Sequence, residues 1–76
     1  MIGIDPRNME VMEWADKMTP MLNTYGDVGK LDKPDNWQYW ATGVILINQQ
    51  WQSVAPIPYQ YSDWRDWAER FLQVIP

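Results

Sequence analysis

Cysteine and histidine are both absent from the 76 residues. Their absence removes disulfides, thiol nucleophiles, imidazole bases and nearly every transition-metal site other than an all-carboxylate one. It also leaves the redox compartment unreadable. Positive charge is in short supply: six basic residues against ten acidic give a net charge of −4, which opposes the phosphate neutralisation behind most non-specific nucleic-acid affinity. No nucleic-acid partner is expected. Long hydrophobic runs are missing too, since the longest, Gly43 to Ile47, falls far short of the roughly 20 residues that a membrane-spanning helix needs. The stretch Met1-Ile2-Gly3-Ile4-Asp5-Pro6-Arg7 has no basic region leading into an apolar core. The expectation is a soluble chain with no address label and no membrane partner.

What the chain has in abundance is large aromatic rings, six Trp and four Tyr. Such rings are enriched at the centres of protein interfaces, and small helical domains also use Trp as bulky core filler. A chain of this length forms one domain, here 1–76, and buries only about 60% of its unfolded surface, so marginal stability is expected.

The rings are not scattered. Asp63-Trp64-Arg65-Asp66-Trp67-Ala68 is echoed by Asp35-Asn36-Trp37-Gln38-Tyr39-Trp40-Ala41 and, more loosely, by Glu10-Val11-Met12-Glu13-Trp14-Ala15, so that Trp-Ala pairs recur at 14, 40 and 67. The spacing fits one helix plus one connection per copy and lacks the signature of the tetratricopeptide, ankyrin or HEAT repeats. Within each copy a small Ala beside a large Trp lets a neighbouring helix approach while the indole covers the gap. Trp14, Trp40 and Trp67 are therefore expected in the core.

The pattern predicts an all-α fold of three short amphipathic helices, at about 6–19, 35–51 and 63–75, joined by an irregular loop and a proline-rich extended segment. Asp5-Pro6 is a cap and first-turn pair, and Pro20 should end or kink the first helix near residues 18–19. Thr19-Pro20 could equally start a short helix of its own. Residues 23–34 have no period and hold two glycines and a proline, which reads as a loop. Asp35 and Gln38 have capping-box spacing. Residues 43–48 could also form a strand, being rich in β-branched side chains, but the caps and the repeat favour helix. Residues 55–59 should be extended and stiff, and Ser62 or Asp63 caps the last helix.

One stripe on each of three short helices cannot bury every ring. Trp37, Trp51, Ile57, Tyr59, Tyr61 and Trp64 are the expected partner-binding residues: Trp51 sits among glutamines near a helix end, and a three-helix unit offers no internal groove for the stiff 54–61 segment. Carboxylate pairs at Glu10 and Glu13, Asp63 and Asp66, and Asp66 and Glu69 have the spacing of an acid–base or hard-metal site, but solvated helix faces produce such pairs routinely. Gly26 and Gly29 have no lysine-serine phosphate motif after them. No catalytic, cofactor or metal-binding residues are expected.

Pro56-Ile57-Pro58 followed by Tyr61-Ser62-Asp63-Trp64-Arg65-Asp66-Trp67-Ala68 resembles a pattern in small virion proteins of tailed bacteriophages, where a proline-bearing stretch leads into an Asp-Trp-x-x-Trp-Ala helix. The resemblance implies a non-enzymatic structural protein, located in the virion, that docks on larger capsid, tail or fibre proteins or on copies of itself. It carries over Trp64, Trp67 and Ala68 as packing positions only, and this chain lacks the long fibre-forming repeat. The other reading is a small acidic cytoplasmic regulator or inhibitor that competes for a basic surface on a host or phage protein. A small enzyme would require a cofactor or bound metal.

Overall fold

The computed structural model describes residues 5–74. Among these the protein is all-α, with no strand, but it has four α-helices where the periodicity predicts three: α1 (Val11–Leu22), α2 (Trp37–Leu46), α3 (Gln49–Val54) and α4 (Trp64–Val74). Single 3-10 turns at Pro6–Asn8, Pro34–Asn36 and Pro58–Gln60 precede α1, α2 and α4. Each opens on a proline, whose missing N–H costs nothing at that position and whose fixed φ suits it.

The first predicted helix is displaced. Asp5 does cap Pro6, accepting from the Arg7 amide at 2.9 Å, but the turn ends after Asn8 because Met9 and Glu10 are extended. The Met9 carbonyl accepts from Arg65 Nη2 at 2.7 Å, a tie that diverts it from any helical ladder. α1 begins at Val11 and runs through Pro20 to Leu22. Pro20 therefore neither ends the helix nor starts another. A mid-helix proline costs about 3 kcal/mol, and here Asp16, whose carbonyl loses its donor, is exposed to water. Continuation keeps Leu22 fully buried, which offsets about 1.5–3 kcal/mol of that cost.

The predicted 35–51 helix is split. Asn48 is extended, and its side chain accepts from the Gln50 amide at 3.0 Å, capping a new helix. Asn is among the best residues for that role. The Asp35–Gln38 capping box does not form: Asp35 lies in the 3-10 turn and Gln38 reaches elsewhere. The third helix starts where expected, with Asp63 Oδ1 accepting from the Arg65 amide at 3.0 Å. Its predicted last residue, 75, lies outside the described residues.

The core is built of the repeat. Trp14-Ala15, Trp40-Ala41 and Trp67-Ala68 are all buried. Trp14 is the hub, with ring centroids 5.9 Å from Trp40, 5.6 Å from Trp64 and 6.2 Å from Trp67. Phe71 extends the cluster, stacked on Trp67 at 4.8 Å and edge-on to Trp51 at 5.3 Å. The indole nitrogens of Trp14, Trp40 and Trp51 are buried without a hydrogen-bond partner. Each of these three rings packs nearly perpendicular to a neighbour, the arrangement in which a ring edge meets a π face.

Candidate interaction surface

All 16 charged side chains (10 acidic plus 6 basic) lie before residue 36 or after residue 62, so that 36–62 carries none. This run builds α2, α3 and the Pro58–Gln60 turn, and both of the latter pack on α2. It also supplies five of the six exposed large hydrophobic side chains among the described residues: Tyr39, Leu46, Val54, Ile57 and Tyr59, the other being Tyr25. Loss of charge with retention of exposed aromatic and aliphatic groups is the compositional mark of an interface core. The signal was present in the sequence, in the positions of the charges rather than in their sum.

The proline segment lies on the fold instead of hanging between helices. Trp67 Nε1 donates to the Pro56 carbonyl at 2.8 Å, and Gln38 Nε2 donates to the Tyr61 carbonyl at 2.8 Å. Pro58 is buried. Ala55 and Ile57 are extended as predicted, but residues 58–60 turn. Anchored at both ends, the strap presents Ile57 and Tyr59 at 55% and 60% exposure.

The six expected partner-binding residues thus separate. Ile57 and Tyr59 face outward, and Trp37 and Tyr61 are half-buried, Trp37 lying 6.2 Å from Trp67. Trp51 and Trp64 are a correction: at 2% and 8% exposure they belong to the core. Trp51 is enclosed by Phe71 and by Tyr25, 4.8 Å away, because the break at Asn48 and the chain after α1 bring those rings to it. Neither neighbour is visible from local periodicity. Tyr39 and Leu46, the two most exposed of the set, were not singled out by the sequence. They flank a groove of ≈ 510 Å³ between the outer side of α2 and residues 27–32, along which Val28, Leu31, Trp40 and Gly43 also lie.

Asp27, Lys30 and Asp32 line the same groove, and the ion pairs lie elsewhere. Arg7 ties the first turn to α4, with Nη2 2.8 Å from Asp66 Oδ1 and 2.7 Å from Glu69 Oε1 and Nε 2.8 Å from Glu69 Oε2. The hydrogen bonds that Arg7 donates to Glu69 and then to Asp66 raise its pKa, and the bond to Glu69 holds that carboxyl below its usual range. Asp32 is lowered by the hydrogen bond from Asn36, which donates at 3.0 Å. The Asp66 and Glu69 carboxylates are thus both engaged by a guanidinium. Among the described residues no three His, Cys, Asp or Glu side chains converge on a cation site, and no helix is long and apolar enough to cross a membrane. Compared with known protein families, curated proteins and solved structures, the chain matches none.

Proposed function

We propose that the protein is a non-enzymatic assembly or adaptor component that docks on larger structural proteins through the exposed side chains of its charge-free stretch, 36–62. The observation that carries this reading is the coincidence, over 36–62, of zero charge with five of the six exposed large hydrophobic side chains. Ile57 and Tyr59, held on an anchored strap, would enter a partner with little further loss of conformational entropy. The finer setting we propose, a virion component of a tailed bacteriophage, rests on the resemblance of residues 56–68 to small virion proteins. An acidic regulator that competes for a basic surface would place carboxylates among its exposed apolar groups; Asp27 and Asp32 do so beside Tyr39 and Leu46, and the docking reading is preferred on the charge-free stretch that carries Ile57 and Tyr59.

Mass spectrometry of purified particles tests this reading. The protein should be present in them at stoichiometric levels, and replacing Ile57 and Tyr59 with Asp should remove it while the circular dichroism of the free protein is unchanged. Presence in infected lysate with absence from particles would overturn the proposal.

A further inference from the structure

We infer that the groove between α2 and residues 27–32 takes an extended segment of a partner protein, one that carries basic and apolar side chains and hydrogen-bonds through its backbone to the loop wall. The inference rests on the docking reading and names the chemistry of the segment received. The groove's ≈ 510 Å³ lies within the ordinary size of binding clefts, about 300–1,000 Å³. Two glycines line it, Gly29 from the loop and Gly43 from α2, and a glycine can line a groove only with backbone. Neither lies at positive φ, and a Cβ built on either would meet nothing within 4 Å. Backbone conformation and internal packing thus account for neither, although glycine in mid-helix costs about 1 kcal/mol relative to alanine. Gly26, the other described glycine, is accounted for, because its Cβ would lie 2.9 Å from Ile47 Cβ. The two glycines that the fold itself does not require are therefore the two on the groove. What glycine offers there is close approach of another backbone.

The loop wall has backbone groups to offer. Residues 27–33 form no helix, strand or turn. The Val28 amide is taken by Asn23 Oδ1 at 3.3 Å, but among the described residues no hydrogen bond uses the N–H or C=O of Gly29, Lys30 or Leu31. An extended peptide can occupy such groups as an added strand occupies a sheet edge, with affinity from main-chain bonds and specificity from side chains. Its apolar side chains would meet the exposed Tyr39 and Leu46, which line the opposite side. Charge selects the rest of the segment. Asp27, Lys30 and Asp32 stand along the loop wall, two carboxylates to one ammonium, and among the described residues none of the three is in an ion pair. That balance, within a chain of net charge −4, favours a basic segment and repels an acidic one.

Amide spectra of the isotope-labelled protein, titrated with the blocked peptide acetyl-Val-Arg-Val-Arg-Val-amide, read the binding. Saturable shifts at Gly29, Lys30, Leu31 and Gly43 are expected, with a Kd of about 1 mM or below. Acetyl-Val-Glu-Val-Glu-Val-amide should bind at least about tenfold more weakly, and Asp27→Lys combined with Asp32→Lys should reverse that preference. Two further basic peptides carry N-methyl groups on alternate residues, one peptide for each edge of the extended chain. One of them should lose binding, because its methyls block the edge that pairs with the loop. Gly43→Leu fills open space and should weaken binding at least about tenfold with the circular dichroism unchanged. Shifts confined to residues outside the groove, equal binding of the acidic peptide, or indifference to Gly43→Leu or to both methylation patterns would each overturn the inference. Groove shifts that follow the protein's own concentration with no peptide present would assign the groove to a second copy and overturn it equally. A groove that fails these tests in a protein that still enters particles through Ile57 and Tyr59 leaves the docking reading standing. A groove that passes them in a protein absent from particles removes the docking reading and leaves the peptide site.

Discussion

The indole of Trp67 donates its N–H to the carbonyl of Pro56 at 2.8 Å, so that the central ring of the core also pins the strap that carries Ile57 and Tyr59. Trp67→Phe keeps most of the packing and should cost about 0.5–1.5 kcal/mol for the lost hydrogen bond, plus the volume lost with the smaller ring. Trp67→Ala should cost about 3–5 kcal/mol. Trp51→Ala should cost a similar amount, because Trp51 is only 2% exposed and the same cavity reasoning applies to it. Chemical denaturation of the three variants checks all of these values.

Since the strap is anchored at Trp67 and Gln38, replacing Pro56 and Pro58 with Gly should cost the fold about 1–2 kcal/mol, at up to about 1 kcal/mol per proline. Gln38→Ala should lose a further 0.5–1.5 kcal/mol, approximately one hydrogen bond. Urea midpoints measured on the free protein report both.

Two glycine substitutions should have opposite signs. A Cβ on Gly26 would lie 2.9 Å from Ile47 Cβ, a contact that forces a shift, so Gly26→Ala should destabilise by about 1–3 kcal/mol. Combining it with Ile47→Ala should leave most of that clash, because alanine keeps the Cβ that causes it, whereas Ile47→Gly removes it. At Gly43 a Cβ meets nothing within 4 Å, and Gly43→Ala should stabilise the fold by up to about 1 kcal/mol. Thermal unfolding of the two variants separates them.

Stability should fall on acidification in a way that depends on Arg7. The Glu69 and Asp32 carboxyls are both lowered in the folded protein from ordinary values of 4.5 and 3.8. A group whose folded pKa is depressed stabilises the fold above its unfolded pKa and loses that contribution as pH falls through the folded value. The loss should therefore begin near pH 4.5 for Glu69 and continue below it. Arg7→Gln removes the guanidinium that lowers Glu69 and should shallow this acid limb, which a series of melts from neutral to acid pH will show.

Much of the fold is legible in the chain because helical periodicity is local. The Trp-Ala pairs announce the three inward faces, and Asp63 announces the start of α4. The misreadings share a cause, which is that long-range contacts override local signals. Leu22 draws α1 past Pro20, Arg65 captures the Met9 carbonyl far along the chain, and Asn48 ends one helix by capping the next. Trp51 and Trp64 look surplus on isolated helices, yet four helices and a strap enclose more rings than three stripes do. The outward direction of Ile57 and Tyr59 follows from the buried Pro58 between them. Tyr39 and Leu46 needed the location of the charges, not the hydrophobic pattern, to stand out.

Recovery of single-charge variants with purified particles tests the role of 36–62 most directly. Leu46→Asp, Ile57→Asp and Tyr59→Asp place one carboxylate on the uncharged surface, and Glu13→Lys and Lys17→Glu change charge on exposed positions of α1. All five should fold, with melting temperatures that verify it. If the uncharged surface is the interface, the three aspartate variants are lost from the particles and the two α1 variants are retained at the wild-type level. Retention of all three aspartate variants, with loss of those on α1, would contradict it.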